Sequence, residues 1–474
     1  MSGTALVWFR DDLRLRDHPA LQAALRSGLA PLPVYIHAPS EEGPWAPGAA
    51  SDAWRHRSLL ALDTQLRERG SRLHVFAGAS GDVLEARAAA CGAAAVFWNR
   101  RHEPAVDRRD EGIRRRLRRL GLRAEALGSG LLFEPWQLET RAGEPFRVFT
   151  PFWTAARRRW NPPAPSPAPA RLPGFDALPG ETTIAALALQ PAPRWDAGFW
   201  QRWTPGEAGA GQALDAFIET GLPDYRAGRD LPARGLTSRL SPHLHFGEAT
   251  PARIAAALAD AGHAAEREAF IRELAWREFG RHVLHHFPHT SERNFNPRFD
   301  DFPWAPPEPR LLRAWQRGRT GLPLVDAGMR ELWATGWMHN RVRMVVASFL
   351  TKHLRMHWLH GARWFWDTLV DADLGNNTLG WQWAAGTGVD AAPYFRVFNP
   401  VLQAQRFDPG GEYIARWVPE LAALPPRARH APWLAGARRK DLGGYPASPV
   451  VDLAEGRAAA LAAFEQVRAV PRLS

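Results

Sequence analysis

What most limits the fold of this chain is a change of pattern along it. Through roughly the first 130 residues, short apolar runs at 5–9, 32–37, 73–77 and 94–98 alternate with amphipathic stretches at 53–69, 82–91 and 106–120. The runs read as buried strands and the stretches as the helices between them. Strands joined by helical crossovers run parallel, and a parallel sheet carries helices on its faces. The expected domain is therefore α/β, Rossmann-like, with a parallel sheet. Neither GxGxxG nor GxxxxGK[ST] follows any of these strands, so dinucleotide or triphosphate binding of the usual kind is not supported. A ligand at the strand ends stays open.

From residue 161 to about 205 the composition turns to Pro and Ala, beginning Asn161-Pro-Pro-Ala-Pro-Ser-Pro-Ala-Pro-Ala170, which sustains neither a helix nor a ladder and reads as a surface linker. Beyond it, 208–220, 251–259, 266–286, 309–316, 323–335, 340–354, 364–370 and 453–467 carry helical spacing with few strand signals. The expected organisation is an α/β domain over 1–135, a connecting segment over 136–205 and an all-α domain over 206–474.

Charge narrows the choice of partner. Sixty Lys plus Arg against 49 Asp plus Glu leave +11, and only Lys352 and Lys440 are lysines, so the positive charge is almost all arginine. A polyanion fits, with nucleic acid ahead of an anionic membrane surface. One cysteine, Cys91, excludes a disulfide framework, and no apolar run of about 18 residues suggests a membrane span. Residues 1–10 lack the pattern of a signal peptide, so a soluble cytoplasmic protein is expected. The 22 tryptophans exceed what a core ordinarily needs, and Trp also stacks on bases or flavins and carries electrons.

Several clusters carry chemistry. Thr237-Ser-Arg-Leu-Ser241 before Pro242 concentrates hydroxyls and an arginine at a helix start, which suits either a pyrophosphate or an ordinary N-cap. Asp371-Ala372-Asp373, followed by Asn376 and Asn377 and preceded by Arg341 and Arg343, is a solvated ion-pair network or a polar wall of a buried redox cofactor. Its continuation into Trp381-Gln-Trp383 favours the second. His282, His285, His286 and His289 share helical spacing, but no carboxylate or Cys completes a ligand set, so no metal is expected. The arginines at 114–116, 118 and 119 read as a solvated helix face.

Six motifs, Trp8-Phe-Arg-Asp-Asp-Leu-Arg14, Thr237–Ser241, Trp276-Arg-Glu-Phe279, Gly336-Trp-Met-His-Asn-Arg341, Asp371-Ala-Asp-Leu374 and Gly380-Trp-Gln-Trp383, together resemble the DNA photolyase and cryptochrome family from about residue 5 to about 465. The resemblance implies an α/β domain that can hold an antenna pigment and a helical domain that binds FAD. It assigns the flavin to Tyr225, Thr237, Ser238, Arg239, Leu240, Ser241, Arg343, Asp371, Ala372 and Asp373, with Asn377 facing flavin N5. A neutral amide there adds no negative charge, which favours the fully reduced state that repair needs.

By the same resemblance, Trp381, Trp358 and Trp304 form an electron-transfer chain from flavin to surface. Glu273, Trp276, Asn340, Met344 and Trp383 line the cavity for a flipped-out lesion, and Arg229, Arg277 and Arg341 are the candidates for DNA phosphate contact, with Glu273, Trp276 and Asn340 also touching the DNA. Enzymes of the (6-4) type carry histidines where this chain has Asn340 and Met344. The implied activity is light-driven repair of cyclobutane pyrimidine dimers in single- or double-stranded DNA by a monomer. The alternative is a cryptochrome-type photoreceptor that keeps FAD without repair, against which stands the end of the chain soon after 453–467. Residues 47–51 with Trp54, and His243-Leu-His-Phe-Gly-Glu248, resemble plant cryptochromes and their bacterial photolyase relatives. For the antenna, 5,10-methenyltetrahydrofolate is preferred to 8-hydroxy-5-deazaflavin.

Overall fold

A computed structural model describes residues 3–128 and 130–469. Five parallel strands, β1 (Thr4–Phe9), β2 (Ala30–His37), β3 (His74–Ala77), β4 (Ala93–Asn99) and β5 (Arg123–Leu127), form one sheet in the order β3-β2-β1-β4-β5. Its crossovers carry α1 (Pro19–Arg26), α2 (Ala49–Arg67), α3 (Ser80–Cys91) and α4 (Pro104–Arg119). Leu6, Trp8, Val34, Ile36, Val96 and Trp98 pack into one core on the sheet. The sequence pattern misses β5 because Arg-Ala-Glu-Ala-Leu has no β-branched residue and sits at the sheet edge, burying only Ala124 fully.

Chain order places β1 at the topological switch point, with β2 and β3 on one side and β4 and β5 on the other. A crevice opens at the carboxyl ends of strands there. Of the residues that follow β1 and β4, Arg10, Asp11 and Arg101 line that crevice.

The later helices are α5 (Phe149–Arg158), α6 (Glu207–Ala216), α7 (Tyr225–Gly228), α8 (Ser241–His245), α9 (Pro251–Ala259), α10 (Ala264–His286), α11 (Pro309–Gln316) and α12 (Pro323–Thr335). They continue as α13 (Asn340–Ser348), α14 (Trp358–Thr368), α15 (Leu374–Ala385), α16 (Pro400–Phe407), α17 (Glu412–Trp417), α18 (Pro426–His430) and α19 (Leu453–Ala469). Proline opens α9, α11 and α12, where a missing N–H costs nothing, and there the sequence expectation meets the structure at both ends. The expected 340–354 helix is α13 plus a π-helical turn, Phe349–His353. The expected 364–370 helix begins six residues earlier, at Trp358, because His357 Nδ1 accepts the Leu359 N–H as an N-cap. Histidine caps α1 and α13 in the same way, and it is not among the usual capping residues.

The described residues divide into two compact units, one drawn from 3–128, 130–223, 238–288 and 370–373, the other from 224–237, 289–369 and 374–469. The Pro/Ala-rich stretch lies in the first, where the following 3-10 turns Ala185–Leu187 and Trp195–Gln201 accompany burial of Leu172, Leu189 and Phe199. There α5 packs on α10 through the ring of Phe149, stacked 3.7 Å from Trp276 at 9°. Among the described residues, no helix is long and apolar enough to cross a membrane.

In the second unit α14 lies against α15, and Gly361 is the reason they approach closely: a Cβ there would come within 2.0 Å of Trp381 Cη2. Gly361→Ala should lower stability by about 1–3 kcal/mol, the usual cost of overpacking a core. The urea midpoint measures it, and an unchanged midpoint would mean the indole is not seated on Gly361.

Candidate active site

At the strand ends of the first unit, a cleft is lined by Trp8, Arg10, Asp11, Tyr35, His37, Glu42, Arg55, Arg101 and Arg109 among others. Trp8 Nε1 is buried there without a hydrogen-bond partner. Arg10 and Arg109 lie over the Trp8 ring at 4.7 and 5.1 Å. Arg101 donates to both oxygens of Glu42 at 3.0 and 2.9 Å and pairs with Asp11 at 3.2 Å. Four guanidiniums against two carboxylates on this lining favour an anionic ligand. Trp8, Arg10 and Asp11 of the Trp8–Arg14 motif form part of this wall.

The Thr237–Ser241 turn enters α8 with Arg239 at φ +54°, a left-handed conformation that bulky residues rarely adopt. Ser238 Oγ accepts the Leu240 N–H at 3.4 Å, and the Arg239 guanidinium lies 5.9 Å from the Trp203 ring. A non-glycine residue held left-handed in a hydroxyl-rich turn is the kind of local strain that collects at binding sites. In the same unit Asp371, Ala372 and Asp373 are nearly buried, and Asp373 forms an ion pair with Arg281. Arg281 was not among the expected residues, although it stands one helical turn after Arg277 on α10.

Glu273 and Trp276, three apart on α10, share one half-buried face. Arg277 turns inward, donating to the Leu244 carbonyl at 3.1 Å and to Glu278 at 3.3 Å. The two cryptochrome-like stretches meet: Trp54 Nε1 donates to Glu248 at 2.9 Å, and His243 Nδ1 shares the other carboxylate oxygen. One buried polar contact thus accounts for Trp54, His243 and Glu248.

In the second unit, Asn340 opens α13 and is exposed, with Arg341, Arg343 and Met344 partly exposed on the following turn. His339 Nδ1 accepts the Arg341 N–H at 3.2 Å, and burial pushes this imidazole down to about 4. It is neutral near pH 7 and committed to the cap. Arg341 reaches Asp230 at 2.8 Å and Arg343 the Met338 carbonyl at 2.7 Å, while Arg229 lies 5.2 Å from the Tyr225 ring. On α15, Asn377 donates to the Ala362 carbonyl at 2.9 Å, and Trp383 is partly exposed.

Of the three expected electron-transfer tryptophans, Trp381 at 2 % and Trp358 at 0 % exposure are buried and Trp304 is partly exposed. Trp358 Nε1 donates to Asn294 at 3.0 Å. His357 bridges the outer pair, its ring 5.2 Å from Trp304 and 5.5 Å from Trp358. Trp315 and Phe365, unremarked in the sequence, pack on Trp381 at 6.1 and 5.0 Å. The histidines of α10 are placed by structure: His282 Nε2 accepts the Phe146 N–H and its Nδ1 meets the Pro135 carbonyl.

Glu278 accepts the N–H groups of Leu132 and Phe133 at 3.0 and 3.3 Å, and burial pushes its carboxyl up to about 7 against the pull of Arg277 and those donors. The folded state therefore holds this proton more tightly than the unfolded chain. Its stabilising share is complete below about pH 4.5 and is lost as pH rises to about 7, a span worth up to about 3 kcal/mol. Glu278→Gln should flatten the decline in urea stability between those pH values. An undiminished slope would rule out Glu278 as its source.

The comparisons with known proteins bear on both units. A family model described as DNA photolyase matches residues 5–170, and one described as FAD binding domain of DNA photolyase matches 270–466. The chain is 44% identical over 472 residues to a deoxyribodipyrimidine photo-lyase of Agrobacterium fabrum, covering 98% of each. It is 36% identical to Cryptochrome-1 of Arabidopsis thaliana, over 98% of this chain and 70% of that one. Among solved structures, a bacterial class III photolyase from Agrobacterium tumefaciens superposes with a TM-score of 0.95 at 43% identity, over 99% of this chain and 98% of that one. The motifs read from the sequence, the parallel sheet followed by helices and these full-length relations agree, and the chain belongs to the DNA photolyase and cryptochrome family.

Proposed function

We propose that the protein is a light-driven deoxyribodipyrimidine photo-lyase that binds FAD and reopens cyclobutane pyrimidine dimers in DNA. The observation that carries this reading is the full-length relation to a bacterial photo-lyase at 44% identity, higher than that to the plant cryptochrome at 36%. The solved class III enzyme supports the same subclass here. Reduced FAD supplies, under light, the electron that opens the cyclobutane ring.

The protein's own residues bind and orient. Thr237–Ser241 cradle the pyrophosphate, a role that the left-handed Arg239 supports. Tyr225, Arg343, Asp371, Ala372 and Asp373 hold the remainder of the flavin, and Asn377 presents a neutral amide to its N5 edge. Glu273 and Asn340 hydrogen-bond the pyrimidine edge and stabilise charge as it develops there, while Trp276, Trp383 and Met344 supply the apolar wall. Arg229 and Arg341 meet phosphates, and Arg277 helps to hold the Leu244 carbonyl in place. Trp381, Trp358 and Trp304 refill an oxidised flavin with electrons from the surface. The arginine-lined cleft at the strand ends takes an antenna pigment, for which 5,10-methenyltetrahydrofolate fits by its carboxylates and by the free indole N–H of Trp8. The enzyme works as a cytoplasmic monomer on single- or double-stranded DNA.

Three measurements test this reading. Purified Arg239→Ala and Asp371→Ala proteins should be soluble and lose flavin absorbance; full retention in both would remove the cofactor assignment. Reduced enzyme in light should restore an oligonucleotide carrying one cyclobutane dimer and leave a (6-4) photoproduct untouched, because neither Asn340 nor Met344 can deliver a proton near neutral pH and His339 is spent as a cap. Glu273→Ala should weaken dimer binding about tenfold without loss of FAD, the cost of one buried hydrogen bond. Restoration of the (6-4) oligonucleotide alone would overturn the substrate, and restoration of neither would favour the photoreceptor.

A further inference from the structure

Two cavities of the first unit share a wall. The cleft at the strand ends and a second cavity, lined by Arg14, His102, Glu103, His245, Arg277 and Arg281 among others, both include Asp11 and Arg101. From that wall a line of alternating charges runs through the interior. Arg101 holds Glu42 and Asp11 on the cleft side, and its Nε donates to Glu103 at 3.2 Å. The other oxygen of Glu103 accepts from Arg281 at 3.0 Å, and Arg281 pairs with Asp373. Side chains along this line are between 8 and 14 % exposed, so solvent screens them little.

We propose that the line Glu42–Arg101–Glu103–Arg281–Asp373 couples the cleft to the flavin, so that an anionic ligand in the cleft tightens FAD binding. This rests on the reading that Asp373 contacts FAD and that the cleft binds a pigment bearing carboxylates. The physical argument is competition for donors. An anion entering the cleft draws the Arg101 guanidinium toward itself and away from Glu103. Glu103, buried and held below the usual carboxylate range because Arg101 and Arg281 outweigh its burial, cannot stay charged there alone. It takes a larger share of Arg281. The Asp373 carboxylate then gives up part of that guanidinium and becomes a better acceptor for donors on the flavin. Glu103 lies outside the cleft and touches neither ligand on this reading, so it is a positioning residue.

The test is a titration of the flavin-depleted full-length protein with FAD, with and without saturating 5,10-methenyltetrahydrofolate, in the wild type, in Glu103→Gln and in Arg281→Lys. The wild type should bind FAD about fivefold more tightly with the folate present, and folate should bind the FAD-loaded protein more tightly by the same factor, since linkage is reciprocal. Glu103→Gln should bind each ligand alone and show no change on adding the other. Arg281→Lys keeps the charge but not the fork, and should show a reduced effect. Equal FAD affinity in the wild type with folate bound overturns the coupling while leaving both sites standing, as does an undiminished effect in Glu103→Gln. Failure of folate to bind the wild type overturns the cleft assignment and the coupling together.

Discussion

Burying charge at the switch point of a parallel sheet is the constraint on which the first unit depends. A lone ion there would cost several kcal/mol, so every one is matched. Arg10 meets Asp110 and the Asn99 carbonyl, Asp12 accepts the Arg10 N–H at 2.6 Å, Asn99 Nδ2 at 2.7 Å and faces His18 at 3.0 Å, and Arg14 donates to the Gly247 carbonyl at 2.8 Å. Removing one partner from such a set leaves its neighbour uncompensated, at about 3–5 kcal/mol. The Trp8–Arg14 motif is therefore a hub of the fold before it is the edge of a site. Arg101 extends the same logic to Glu103, Arg281 and Asp373, which ties the strand-end cleft to a residue proposed to hold the flavin.

The second unit solves a different problem, that of seating large aromatic rings at fixed spacing. Small residues make the room: Gly361 lies flat against Trp381, and a Cβ on Gly328 would come within 2.4 Å of Val342. Buried polar groups then lock the helices that carry the rings. Glu331 accepts the His339 N–H at 3.2 Å and the Tyr413 hydroxyl at 2.7 Å, fixing the start of α13 and with it exposed Asn340. Rigid helices are better platforms for electron hopping and lesion contact than loops, because neither tolerates a wandering ring.

Sequence pattern revealed the class of each half because period and punctuation agree there. The apolar runs of β1, β2 and β4 are buried on both faces, and proline announces α9, α11 and α12. What stayed hidden was chemistry that no local rule describes. Histidine caps moved the start of α14, a polar edge strand escaped as β5, and α15 was unread because Asn376, Asn377 and Gly380 obscure its helical period. The site motifs were legible only through the family resemblance: Thr237–Ser241 alone reads as a cap, and its left-handed arginine is visible only in three dimensions. Arg281 and Glu103 could have been suspected only from distance in space, since 178 residues separate them. The pull of Leu244 and Glu278 on Arg277 was hidden for the same reason.

On the proposed function, reduced FAD held by these residues would supply under light the electron that opens a pyrimidine dimer, and Trp381, Trp358 and Trp304 would serve only to reduce the flavin. The most direct measurement compares wild type and Trp381→Phe, each chemically reduced in the dark and given a dimer-bearing oligonucleotide, then illuminated. Both should restore the oligonucleotide at similar rates in light and not at all in darkness, while photoreduction of the oxidised flavin is lost in Trp381→Phe alone. Restoration in darkness, or its loss in the chemically reduced Trp381→Phe protein with flavin still bound, would contradict the account.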